Sequence, residues 1–268
     1  MVGLRYHKME WRYANASVTG TSHQRLGVMC QDYNICEVVR GENSKEYLVT
    51  LVSDGAGSAR YADRGSREIC TYLFNRIKDH LNANNQLLSV TKETVQFWIK
   101  EFHKELRGVA EKEMATLRDF ACTLLVAIVG EDSAVCFQIG DGAIILQHPD
   151  DPDEYCYVFW PQQGHYENET FFATDPNTVE YQIQYEYMSK NLYRIALFTD
   201  GIQRLVLDYQ NRMVHTPFFR PLFLHLERLS PGFSAQFTND LTSFLESDRV
   251  NTRTDDDKTL ILAARTEI

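Results

Sequence analysis

Four stretches of this chain place an aspartate where an apolar run stops. Asp54 ends YLVTLVS and is followed by Gly55; Asp141 follows VCFQIG and precedes Gly142; Asp200 ends YRIALFT and precedes Gly201; Asp256 and Asp257 lie in TDDDKTLILAA, just ahead of the last apolar run. A single Asp-Gly after a strand reads first as a turn. Three of them, plus an acidic pair opening another strand, read better as carboxylates projected from rigid sheet edges into one cleft. Grouped carboxylates repel one another unless cations neutralise them. Hard divalent cations such as Mg²⁺ and Mn²⁺ take this kind of ligand: carboxylates, a backbone carbonyl and water. A glycine beside the acid lets a carbonyl approach the ion. Two such ions, about 3.5–4 Å apart, can share a water, lower its pKa and direct it at phosphorus.

The elements that must hold these acids can be read from hydropathy. Residues 11–19 alternate weakly and open the chain as a strand; 32–39 and 46–53 form a hairpin whose second arm is nearly all apolar. Two helices follow, one with Ile69, Leu73, Ile77 and Leu81 on its stripe, the other with Val95, Ile99, Phe102, Leu106 and Val109. Asp63 and Thr91 are the expected N-caps, and 82–85 the turn between the helices. Strands are expected at 120–129, 134–139 and 143–147. The polar, aromatic-rich segment 149–191, with a weak strand at 179–187, reads as a flap-like insertion. A strand at 192–198, helices at 217–228 and 234–246 and a strand at 259–264 complete the chain. Helices in pairs between runs of strands argue against alternating β/α units. They predict an α+β fold, a four-layer αββα sandwich of two central antiparallel sheets flanked by helix pairs, built as one domain over residues 1–268.

Composition narrows the function classes. The chain has 268 residues, a formal net charge of -10 and 24% charged residues. An acidic surface repels nucleic-acid backbones and anionic membranes, so neither is an expected partner. The first thirteen residues are polar and lack a signal-peptide core, and no apolar run reaches the roughly 20 residues a membrane span needs. Six cysteines without a C-x-x-C pair read as free thiols in a reducing compartment, which makes a cytoplasmic location the expectation.

Taken together, the motifs resemble those of the metal-dependent protein phosphatases, type 2C, over almost the whole chain and in that family's order. S-D-G-A-G at 53–57 is similar to the family's D-G-x-G; A-C-T-L-L at 121–125 resembles its small-residue/Thr strand motif. I-G-D-G at 139–142, F-T-D-G at 198–201 and D-D-K-T at 256–259 resemble its G-D-S/G, S-D-G and D-N-x-T. The resemblance implies phosphoserine and phosphothreonine hydrolysis by a hydroxide bridging two Mn²⁺ or Mg²⁺ ions, without a phosphoenzyme. It implies that Asp54 bridges the metals, Gly55 offers its carbonyl, and Asp200 and Asp256 complete the first ion's protein ligands. Asp141 with Asp200 would hold a third, weaker ion; Asp32, Asp54, Asp200 and Asp256 form the catalytic set. Asp257, where the family often has Asn, would stand behind the ligands. The implied partners are a phosphoprotein substrate and a serine/threonine kinase.

The departures fall in the first motif. In G-T-S-H-Q-R-L-G-V-M-C-Q-D, residues 20–32, Asp32 matches the family's aspartate, Gln31 replaces its glutamate, and the phosphate-binding arginine has no match in register. His23 or Arg25 could take that role as phosphate donors, or the stretch is an ordinary solvated loop. Ala56 stands where the eukaryotic branch has its proposed general-acid histidine. G-x-S/T-H, C/N-Q-D and G-x-Y-x-N-E-T at 164–170 resemble a divergent, mostly bacterial branch. Cys70 and Arg76 have cysteine-phosphatase spacing, but CTYLFNR lacks glycine and lies on a helical stripe. Trp160 and the tyrosines near it could cover a substrate groove or serve packing. Two other readings stand beside protein dephosphorylation: a small-molecule phosphoester hydrolase, and a catalytically weak module that binds a kinase or phosphoprotein.

Overall fold

The computed structural model describes residues 9–41, 45–84, 86–148, 150–162 and 170–267. Most of the G-x-Y-x-N-E-T stretch lies outside them. Strand β1 (Met9–Val18) leads into a short helix, α1 (Thr21–Leu26), where a loop was expected; Gly27 closes it at φ 67°. The hairpin is β2 (Tyr33–Arg40) and β3 (Glu46–Ser53). Helix α2 (Ala62–Asn84) begins a residue ahead of Asp63, so that carboxylate sits in the first turn and not at the cap. The helix also takes in residues 82–84 of the expected turn; residue 85 lies outside the described residues. Helix α3 (Lys92–Lys112) is capped as expected: Thr91 Oγ1 accepts from Thr94 N at 3.3 Å.

A 3₁₀ turn (Leu117–Phe120) takes the start of the next expected strand, and β4 is Leu124–Val129. Strands β5 (Ala134–Ile139) and β6 (Ala143–Gln147) lie where hydropathy put them. Within 149–191 the described residues form β7 (Tyr155–Tyr157), α4 (Pro176–Tyr181) and β8 (Gln184–Met188). Val179 is therefore helical: the Asp175 side chain accepts from Asn177 N and Pro176 opens the helix. Then come β9 (Arg194–Phe198), α5 (Gln203–Val206), the ribbon β10 (Leu207–Asp208) and β11 (Met213–Val214), and α6 (Thr216–Leu226). The chain ends with β12 (Gly232–Phe233), α7 (Ala235–Leu245), α8 (Asp248–Asn251) and β13 (Lys258–Glu267).

One sheet has the order β12-β1-β13-β9-β6-β7, the other β2-β3-β4-β5-β8. Every pairing in them is antiparallel except the two-residue β12, which lies parallel to β1. Alternate strand residues feed three apolar layers. Between the sheets pack Trp11, Leu48, Leu125, Ile144, Leu197 and Ile261. The outer face of the β2–β8 sheet carries Val49, Val126 and Phe137 against Ile69, Leu73 and Ile77 of α2 and Ile99 and Phe102 of α3. The outer face of the other sheet carries Ala196, Phe198 and Leu262 against Phe219 and Phe223 of α6 and Leu241 of α7. This is the αββα sandwich that the pairing of helices predicted. Among the described residues no helix is long and apolar enough to cross a membrane.

Candidate active site

The aspartates gather at one end of the sandwich, drawn from both sheets. Asp54 follows β3; its N–H donates to Thr123 Oγ1 at 3.0 Å and its carbonyl accepts from Thr123 N at 2.8 Å. Thr123 thus fixes the backbone on which Asp54 stands. Gly55 is buried, and its N–H donates to the Gln31 carbonyl at 3.1 Å. A Cβ on Gly55 would lie 2.5 Å from the Ala62 carbonyl oxygen and 2.9 Å from that of Gln31, so only glycine fits between the start of α2 and the segment at Gln31. Asp141 occupies the β5–β6 turn. Asp200 opens a 3₁₀ turn (Asp200–Ile202) after β9, and Asp256 precedes β13. Asp141, Asp200 and Asp256 line an open cleft of about 850 Å³.

The electrostatics show that these groups share one field. Burial raises the Asp54 carboxyl well above its ordinary range, and the charges of Asp32, Asp200, Asp141 and Asp256 raise it further. Burial, then Asp141 and Asp256, push Asp200 up to about 7. Asp141 and Asp256 are raised as well, chiefly by burial; His23 opposes the rise at Asp256. Asp32 is raised by burial against two hydroxyl donors, Thr199 at 2.8 Å and Thr259 at 2.7 Å, both on its Oδ2. Among the described residues, Asp32 Oδ1 and Asp200 Oδ1 are buried without a hydrogen-bond partner.

Behind the acids, Asp257 is 2% exposed and ties down the divergent first motif. Its Oδ1 accepts from Gly20 N at 2.7 Å and its Oδ2 from Gln31 N at 2.6 Å. His23 Nδ1 lies 3.0 Å from Asp257 Oδ2 but is not aligned with it as a hydrogen bond. Arg25 is exposed on α1; among the described residues neither it nor His23 lines the cleft. Ala56 N donates to the Ala121 carbonyl at 2.9 Å. Trp160 packs edge-on against Tyr157 and Tyr209, with centroids 5.1 and 5.3 Å away.

Several contributors carried no role in the sequence reading. Thr123, Thr199 and Thr259 lie inside the matched motifs and act as hydroxyl anchors. Gln203 donates from Nε2 to the Asp141 carbonyl and accepts from the Tyr209 hydroxyl, joining α5 to the β5–β6 turn. Lys258 is fully buried and donates to Asn251 Oδ1 at 2.9 Å and to the Asp256 carbonyl at 3.2 Å. Two arginines, Arg204 and Arg253, line the cleft.

Comparison with known proteins places this arrangement. The family described as Protein phosphatase 2C matches residues 19–246. The chain belongs to the protein phosphatase 2C family. A serine/threonine-protein phosphatase 3 of Escherichia coli (strain K12) is 32% identical over 265 residues, spanning 95% of this chain and 98% of that protein. Two solved structures share the fold. The serine/threonine phosphatase of S. agalactiae superposes with a TM-score of 0.64 at 11% identity, covering 95% of this chain and 99% of that one. RsbX in complex with magnesium gives 0.50 at 16% identity, with 99% of each chain covered. In reaction class this phosphatase 2C chain is a protein serine/threonine phosphatase acting on phosphoproteins.

The type 2C family is metal-dependent, and the residues present fit a hard divalent cation. The donors are all oxygens, one of them an orphaned buried carboxylate atom at Asp200. Among the described residues no three carboxylate, imidazole or thiol groups converge as the complete ligand set of one ion. An ion there would therefore draw on at most two of these side chains and fill its remaining positions with water and a carbonyl.

Proposed function

We propose that this chain hydrolyses phosphoserine and phosphothreonine in proteins with the help of Mn²⁺ or Mg²⁺ ions, two of them with a place for a third. The observation that carries the reading is the Asp200 carboxyl. It stands on an open cleft with one buried oxygen unpartnered among the described residues, and burial, then the charges of Asp141 and Asp256, push its pKa up to about 7. Such a group is costly alone and is relieved by a cation. Asp54, the Gly55 carbonyl, Asp200 and Asp256 would hold the first ions, and Asp141 with Asp200 the third. Bound there, the ions would supply positive charge for the phosphoryl oxygens and lower the pKa of water.

The remaining roles belong to the chain's own residues. Asp32, gripped by Thr199 and Thr259, keeps the two sheet edges in register beneath the cleft. Asp257 holds Gly20 and Gln31, so that the Gln31 carbonyl meets Gly55 and sets the direction of the Asp54–Gly55 peptide. His23, beside Asp257, and Arg25, on the same short helix, lie outside the cleft lining among the described residues, and the expected phosphate-binding role is not assigned to them. In this reading the phosphoryl group transfers directly to water, without a phosphoenzyme. Residues 155–157 and 184–188 supply an edge strand to each sheet, and Pro161 and Gln162 lie on the cleft, which supports a covering role for that part of the insertion. The six free thiols fit the cytoplasm, and a serine/threonine kinase is the counterpart such an activity requires.

Phosphate release from a phosphothreonine peptide, in Mn²⁺ and in EDTA, tests this reading. Asp54→Asn and Asp200→Asn should each lower turnover by at least 100-fold, on the order of the loss of one catalytic electrostatic contact, with an unchanged circular-dichroism spectrum. Most of the activity surviving in both variants would sink the assignment.

A further inference from the structure

The cleft poses an electrostatic problem that its acids do not solve. A phosphorylated segment approaches a protein of net charge -10, toward a floor made of Asp141, Asp200 and Asp256. Ions on that floor offset the carboxylates, yet the doubly charged phosphoryl group still needs donors that fix its orientation. The first motif, where the family's phosphate-binding arginine would stand, offers no arginine on the cleft wall: Arg25 is exposed on α1 and His23 is turned to Asp257.

Two arginines do line that cleft. Arg204 is four residues after Asp200, in α5; Arg253 is three residues before Asp256, just past α8. Both side chains are exposed to solvent. Neither belongs to an ion pair or a stacking contact among the described residues, whereas Arg194, Arg64 and Arg220 are each paired with a carboxylate. Both are carried on braced backbone. Next to Arg204, Gln203 is buried and locked between the Asp141 carbonyl and the Tyr209 hydroxyl. Around Arg253, its own N–H donates to the Val250 carbonyl at 2.8 Å, and buried Lys258 spans Asn251 and Asp256.

We propose that Arg204 and Arg253 bind the phosphoryl group of the substrate, replacing the first-motif arginine that this chain lacks. The proposal rests on the phosphatase reading above and names residues for it. A guanidinium presents a planar fork of N–H donors suited to two phosphate oxygens, and a cation held by the acids would supply positive charge for a remaining one. Because the contact is to the phosphoryl group and not to flanking residues, it serves peptide and non-peptide phosphoesters alike.

Arg204→Ala, Arg253→Ala, the double variant and both Arg→Lys variants are compared in saturating Mn²⁺. The substrates are a phosphothreonine peptide and p-nitrophenyl phosphate, and inorganic phosphate is the inhibitor. Each alanine variant should raise KM for both substrates about tenfold, as expected for one charge-assisted pair, and weaken phosphate inhibition by the same factor; lysine should restore part of each. A rise confined to the peptide would overturn the proposal, since the arginines would then read flanking residues. So would unchanged phosphate inhibition in the double variant, given an active wild type. If the wild type releases no phosphate, the enzyme reading fails instead. Direct titration with inorganic phosphate by calorimetry then still decides between a site that loses binding with the arginines, which supports the proposal, and one that does not, which overturns it.

Discussion

At Asp200, burial and the charges of Asp141 and Asp256 act in one direction, and the hydrogen bonds from Asp54 and Gly201 only partly oppose them. The folded carboxyl therefore titrates near 7, against about 3.9 in an unfolded chain. Between those values the folded state holds a proton that the unfolded state has lost, so metal-free stability falls as pH rises from about 4 to about 7. Asn cannot ionise. EDTA-treated Asp200→Asn should thus match the wild type in Tm near pH 4 and exceed it near pH 8, as read by thermal denaturation across pH. A Tm difference that stays flat over this range would show that Asp200 is not strained by its neighbours. At this scale much of the site could be read in advance: each Asp-Gly pair marks a strand end, and the structure brings Asp54, Asp141, Asp200 and Asp256 into one field. Arg204 and Arg253 could not be read, because neither belongs to a chemical pattern in the chain. They reach the cleft only through the packing of α5 and α8.

Element packing carries the next dependence. Gly65 lies inside α2, where glycine costs helix stability, yet a Cβ there would sit 2.1 Å from the Phe120 carbonyl oxygen. The close approach sets α2 against the 3₁₀ turn at Leu117–Phe120, and from that turn the chain runs on to Thr123, which grips both sides of the Asp54 peptide. Gly65→Ala must push these backbones apart. It should cost about 3 kcal/mol in denaturant titration, at the upper end for overpacked sites, and should lower turnover beyond the loss of folded protein. Stability and turnover equal to the wild type would mean that the turn yields freely. The same region shows where periodicity stops being informative. Strands β5 and β6 are short apolar runs bounded by turn residues, and their limits follow from hydropathy alone. The stretch at 120–123 is equally apolar, but its backbone bonds to Gly55, Asp54 and the turn before it, and a β4 start at 120 could not show that. Val179 misled for another reason: its local signal was Asp175-Pro176, a helix start, and the alternation after it belonged to β8.

Across the whole molecule, the two sheets are joined differently at their centre and at the site. The centre is apolar, while the site end is a polar seam. Asn15 donates to Asn34 at 2.6 Å, Asn34 to Ser17 at 2.7 Å, Ser17 shares a hydrogen bond with Thr259, and Asp32 closes the chain of contacts to Thr199 and Thr259. The candidate ion ligands divide the same way: Asp54 and Gly55 follow β3 of one sheet, while Asp200 and Asp256 border β9 and β13 of the other. An ion held by both sets is a cross-link between the sheets that the unfolded chain cannot form. Mass action then predicts stabilisation of about 2.7 kcal/mol at Mn²⁺ a hundredfold above its dissociation constant, or roughly 5–10 °C in Tm for a domain of this size. Protons compete for the same oxygens, so the gain should be large at pH 7.5 and shrink toward pH 5. In the Asp54→Asn, Asp200→Asn double variant it should disappear at both, because each sheet has then lost a charged ligand. A Tm gain in that variant equal to the wild type's would put the ions elsewhere and separate the seam from the chemistry.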